Sequence, residues 1–116
     1  QGEWPQMTLT CRIAAVKRYV ELLRGARESI VTVLMWEICK NSADAASEFD
    51  RTMKFVEAVI ASLENSDETE RFGKLTTVAG VSGRVRRGPV GVTLMLAPFN
   101  YPLNEMYAMM IPALLM

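Results

Sequence analysis

The chain has no histidine, only two cysteines and no surplus of either charge: 13 basic residues balance 13 acidic ones across 116 positions. Without histidine it lacks the commonest near-neutral general base and any histidine-ligated metal. Cys11 and Cys39 form neither a CxxC redox motif nor a zinc-binding pair. Two cysteines make no disulfide framework, which points to a reducing, cytoplasmic setting. Zero net charge gives no general attraction to nucleic acid or to an acidic surface. The longest apolar-rich tract, Met106 to Met116, is shorter than the ~20 residues needed to cross a bilayer. The opening residues QGEWPQMTLT carry neither the basic nor the apolar region of a secretory signal. The expectation is therefore no metal, no nucleic acid and no membrane.

What remains is ordinary globular material. Half of the residues are hydrophobic and 22% are charged, which argues against disorder. A chain of this length makes one domain with its own core. The chain starts at Gln1 without an initiator methionine and stops at Met116 inside an apolar tract with no helix C-cap. Both ends read as cuts from a longer protein.

Helical periodicity dominates the first part. Thr8 or Thr10 can cap a helix that carries Ile13, Val16, Val20 and Leu23 at helical spacing, with Gly25 as its break. A second helix is expected from about Arg27 to Lys40, with Val31, Leu34, Met35 and Ile38 on one side. Ser42 or Asp44 can cap a third, striped by Phe49, Met53, Val56, Ile60 and Leu63, which stops at Asn65-Ser66-Asp67. Cys11 and Cys39 fall in these helical stretches, where free cysteine behaves as a small apolar residue.

After Phe72 the character changes, with four glycines and one proline over 74–97. LTTV (75–78) and GRVRRG (83–88) read as strands around a Gly80/Gly83 turn. VGVTLMLA (90–97) is almost continuously apolar, as in a strand covered on both faces. Pro98 to Pro102 is a tight connection, and Leu103 to Met116 reads as a helix interrupted or kinked at Pro112. The fold class is therefore an α+β fragment. It comprises three amphipathic helices (1–72), a β-hairpin (73–89) and a strand–helix unit (90–116) like the first βα unit of a Rossmann-like domain.

The stretch RRGPVGVTLMLAPFNYPLNEMYAMMIPALLM (86–116) carries a resemblance. Gly-Pro-Val-Gly, then Pro-Phe-Asn-Tyr-Pro at 98–102, then a helix with Ile-Pro-Ala-Leu resembles the aldehyde dehydrogenase superfamily. The form with Phe before the Asn and Tyr after it is most similar to the non-phosphorylating, NADP-dependent glyceraldehyde-3-phosphate dehydrogenase branch. EICK (37–40), EFDRT (48–52) and the glycine-rich hairpin lie where the family has its N-terminal helices and oligomerisation strands.

The resemblance implies an NADP- or NAD-dependent oxidation of a small-molecule aldehyde to the acid through a cysteine thioester. It assigns Asn100 as a catalytic residue, its side-chain amide donating to the oxygen of the thiohemiacetal. Tyr101 would line the substrate pocket, Arg51 could reach a substrate phosphate, and the backbone of Ala97, Pro98 and Phe99 would lie against the dinucleotide. The family's nucleophilic cysteine and general-base glutamate belong to downstream segments, and neither Cys11 nor Cys39 fits the nucleophile. The piece alone is expected to be inactive, and its apolar strand and last helix suggest a homo-oligomer.

Plainer readings stand beside these. Pro98–Pro102 can be a loop with a capping Asn, and Arg51 a solvated helix-surface residue. Arg84, Arg86 and Arg87 can be charged guards of a strand edge rather than a phosphate contact. Glu37 and Lys40 can pair on a helix surface. Met95, Met106, Met109, Met110 and Met116 read as core filling. Glu105 suits the positive end of the last helix, although in the family this stretch approaches the aldehyde tunnel. The rival class is a non-enzymatic helical oligomerisation or interaction module.

Overall fold

The computed structural model describes residues 2–66, 73, 75–84 and 88–116. Among these are four α-helices and one two-stranded antiparallel sheet. A 3₁₀ turn at Trp4–Gln6 leads into helix α1, Leu9–Gly25. Thr8 caps α1, its hydroxyl accepting from the Cys11 N–H at 3.2 Å. Helix α2, Arg27–Ile38, follows after the single residue Ala26. It ends because Cys39 turns into the left-handed region (φ 54°), the conformation that closes many helices. Helix α3, Ser42–Asn65, is capped by Asn41 rather than by Ser42 or Asp44. The Asn41 Oδ1 accepts from the Asp44 N–H at 2.8 Å, while its Nδ2 donates to the Asp44 carboxylate at 2.6 Å.

The expected apolar stripes form the core. Ile13, Val16 and Val20 of α1 are buried with Val31 and Leu34 of α2 and Phe49, Met53, Val56 and Ile60 of α3. Helix α4, Pro102–Leu115, completes that core with Tyr107, Ile111 and Leu115, spaced one turn apart. It packs chiefly against α3 and also against α1. Pro112 does not interrupt it, and the helix continues to Leu115, where the Met116 N–H closes back on the Pro112 carbonyl at 2.9 Å. Two groups from the start of the chain meet its far end. The Trp4 indole N–H donates to the Leu114 carbonyl (3.0 Å), and Arg12 donates to the Leu115 carbonyl (3.2 Å). These satisfy last-turn carbonyls that a helix cannot pair internally. Cys11 and Cys39 are both exposed, so neither is the small core residue expected.

The hairpin differs in one detail. Strand β1 (Leu75–Val78) is as expected, but β2 is Val81–Arg84. The two-residue turn is Ala79-Gly80, both with positive φ (50° and 80°), and Val78 pairs with Val81. Such mirror-image turns match the strand twist, which is why the second strand starts immediately after Gly80 and Gly83 lies within it. Arg86 and Arg87 lie outside the described residues.

The larger correction concerns residues 90–97. They form no strand in the structure. Val90, Val92, Leu94 and Leu96 are all exposed, Val92 completely. A strand covered on both faces needs neighbours along its edges, and among the described residues β1 and β2 pair only with each other. Of the strand–helix unit expected over 90–116, the structure has the helix, and residues 90–97 carry no ladder.

Helices α2 and α3 are joined by a two-pronged ion pair. Arg27 donates to both oxygens of Asp50 at 2.9 and 2.8 Å. The guanidinium's hydrogen bonds hold the Asp50 carboxyl below the usual carboxylate range, against a smaller opposing effect of burial. A depressed carboxyl pKa contributes stability above its unfolded value and loses it as pH falls through the folded one. Both side chains are about a third exposed or more, so the effect is small. Below about pH 4, Tm of the natural chain should fall more steeply than that of Asp50→Asn. Parallel Tm curves for the two proteins would reject this pair as a source of acid sensitivity.

Candidate active-site turn

The segment Ala97-Pro98-Phe99-Asn100-Tyr101 leads directly into α4, whose first residue is Pro102. Proline suits that position because its missing N–H would be unpaired there anyway and its fixed φ is already helical. The Tyr101 carbonyl accepts the first helical bond, from the Glu105 N–H at 3.2 Å. Asn100 therefore stands two residues before the helix, exposed at the turn. Phe99 is also exposed.

Tyr101 occupies the cap position but makes no side-chain cap. The cap comes from another helix. Glu48 of α3, only 1% exposed, accepts through Oε1 from the N–H groups of both Leu103 and Asn104, each at 3.1 Å. Its Oε2 is paired with Lys40, whose side chain is itself mostly buried. A buried carboxylate is tolerable only when its lone pairs are satisfied, and here two backbone donors and one ammonium do so. One turn along α3, buried Thr52 donates to the Glu48 carbonyl at 2.7 Å and reaches Asn104 Oδ1 at 3.4 Å.

Two cations flank the tyrosine. Lys40 Nζ is 3.8 Å from the Tyr101 ring centroid and Arg51 Cζ is 5.2 Å from it. Both distances lie within the range of a cation–π contact. The structure thus brings Arg51 and Lys40, remote in sequence, against Tyr101, the neighbour of Asn100, where α3 meets α4. Lys40 pairs with Glu48, not with Glu37, so the expected Glu37–Lys40 surface pair is replaced by a tertiary one. Glu105 lies exposed in the first turn of α4 and accepts from Asn104 Nδ2 at 3.3 Å, while the capping role belongs to Glu48.

Glu48 and Lys40 were missed as a pair by sequence reasoning. The available signal was a charged residue on the stripe side of α3, next to Phe49 and one turn before Thr52 and Met53. Among the described residues no group of three or more potential ligands is placed to hold a metal ion. No helix among them is long and apolar enough to cross a membrane.

Comparison with known proteins gives this geometry a context. The chain is 31% identical to N-succinylglutamate 5-semialdehyde dehydrogenase 1 of Caulobacter vibrioides over 115 residues, 98% of this chain and 23% of that protein. It is 30% identical over 102 residues to malonate-semialdehyde dehydrogenases of Bacillus thuringiensis and Bacillus cereus, covering 86% of this chain and 20% of those proteins. The chain thus spans about a quarter or less of the length of these relatives. No solved structure matches it. The model of the aldehyde dehydrogenase family matches residues 1–116. The capped turn at 98–102 is therefore the turn of a member: this chain belongs to the aldehyde dehydrogenase family.

Proposed function

We propose that this chain is the amino-terminal part of an NAD(P)-dependent enzyme that oxidises an aldehyde carrying an anionic group to the corresponding acid. The observation that carries the reading is the Pro-Phe-Asn-Tyr-Pro turn clamped at the start of α4, with Arg51 beside Tyr101. On this reading residues 1–72 belong to the helical N-terminal part of the cofactor-binding domain, 73–89 to the hairpin of an oligomerisation sheet, and 90–116 to the first strand and helix of the Rossmann-like fold. The strand is completed when further strands pair with it.

Asn100 presents its side-chain N–H to the oxygen of the aldehyde as a downstream cysteine adds to the carbonyl. A neutral donor fixed beforehand stabilises the negative charge that develops there. The cysteine nucleophile and the base that hydrolyses the thioester come from other segments, and this chain alone is inactive. Bound NAD or NADP supplies the hydride acceptor. Ala97, Pro98 and Phe99 fit one face of that cofactor, because they offer an uncharged, largely exposed backbone and ring at the turn. Their donor set does not fit its phosphates.

The anionic end of the substrate falls to Arg51, with the Tyr101 hydroxyl as a second hydrogen-bonding group. A triose phosphate, as in the non-phosphorylating glyceraldehyde-3-phosphate dehydrogenase branch, and a carboxylated semialdehyde, as in the names of the relatives, share this chemistry. The test is Arg51→Ala in the full-length enzyme, assayed with glyceraldehyde 3-phosphate, malonate semialdehyde and an uncharged aldehyde of similar size. The expected result is a KM raised about ten- to a hundred-fold for the anionic substrate that the natural enzyme prefers, the value of one charge-assisted contact, with the uncharged aldehyde unaffected. Equal changes for all three substrates, or no change, would remove Arg51 from the substrate site.

A further inference from the structure

We propose that Glu48 is a positioning residue for Asn100, setting the direction of the turn amide by clamping the first turn of α4 to α3. The inference rests on the oxyanion role proposed for Asn100. Three observations carry it. The Glu48 carboxylate is buried and holds the N–H groups of Leu103 and Asn104 with a single oxygen. Only Tyr101 and Pro102 separate Asn100 from those clamped groups, and proline has no freedom in φ. Lys40 pairs with the other Glu48 oxygen and lies 3.8 Å from the Tyr101 ring centroid, so the same ion pair also touches the residue next to Asn100.

The clamp is more than a generic cap. An ordinary N-cap side chain belongs to the residue preceding its own helix and moves with it. Glu48 belongs to a different helix, in the second turn of α3, between Ala45 and Thr52, which are fully buried. The first turn of α4 is thereby fixed relative to α3 and not merely closed. A donor aimed at a developing oxyanion works only if its position is set in advance, and a misplacement of about 1 Å can cost on the order of 10²-fold in rate.

A double-mutant cycle in the full-length enzyme separates this from a role in stability alone. Glu48→Leu removes the acceptor with little change in volume, and kcat should fall on the order of 10²-fold. Glu48→Gln keeps an acceptor oxygen for the two N–H groups and should fall only about ten-fold. In an Asn100→Ala background neither change should lower kcat much further, because the group they position is already gone. Equal losses in both backgrounds would overturn the inference while leaving the role of Asn100 intact. If Asn100→Ala alone retained turnover, the oxyanion reading would fail, and this inference with it. Should Glu48→Leu not fold, the comparison of Glu48→Gln in the two backgrounds decides the question in the same way.

Discussion

Replacing Asn100 by alanine in the full-length enzyme lowers kcat by about 10²–10³-fold, the usual consequence of removing one oxyanion donor. The loss should appear equally in kcat and in kcat/KM, since the amide is worth most when charge has developed on the oxygen and little when the aldehyde is merely bound. Asn100→Asp should be at least as damaging, because it places a negative charge where one is forming. The reason to expect so much from one side chain is its placement between two prolines, two residues ahead of a helix whose start is held by Glu48. Steady-state turnover measured with saturating aldehyde and cofactor checks it. A variant within a factor of two or three of the natural enzyme would show that the turn carries no catalytic charge stabilisation.

The second large effect is on stability. Phe49→Ala in this chain should cost about 3–5 kcal/mol, the range for deleting a buried aromatic ring. Phe49 is only 2% exposed and belongs to the α3 stripe around which the other three helices gather. Its ring also carries the Arg27 guanidinium at 5.8 Å, and alanine offers that cation no π face. Domains of this size are stable by roughly 5–15 kcal/mol, so the variant would sit near the edge of folding. Urea unfolding followed by circular dichroism should show the midpoint falling with little change in slope. A cost below about 1 kcal/mol would mean that the site repacks around the missing ring.

The helices and most of their core were legible because their signal is local. Ile13, Val16 and Val20, or Phe49, Met53, Val56 and Ile60, recur at a spacing only a helix can bury on one side. The first strand was legible for a similar reason, whereas the turn was displaced because Ala79 adopts a positive φ that alanine does not advertise. Residues 90–97 read as a buried strand from composition alone, yet burial of a strand depends on neighbours that composition does not supply. At the turn, the motif named Asn100 and Tyr101, and the structure has Arg51 against the Tyr101 ring. The Glu48 clamp was not legible, since its partners Leu103 and Asn104 are backbone N–H groups far along the chain, and backbone donors leave no mark on side-chain patterning.

The way α4 is tied down governs how the chain reaches this state. Its first turn depends on Glu48, and its last carbonyls depend on Trp4 and Arg12. Docking it closes loops that encompass nearly the whole chain, so its contacts have high contact order and form late. During synthesis at ~5–20 residues per second, α1 to α3 emerge several seconds before α4 does. Through that interval the part of the core that Tyr107, Ile111 and Leu115 complete is an unfinished oily surface on the ribosome, the moment at which a chaperone has most to offer.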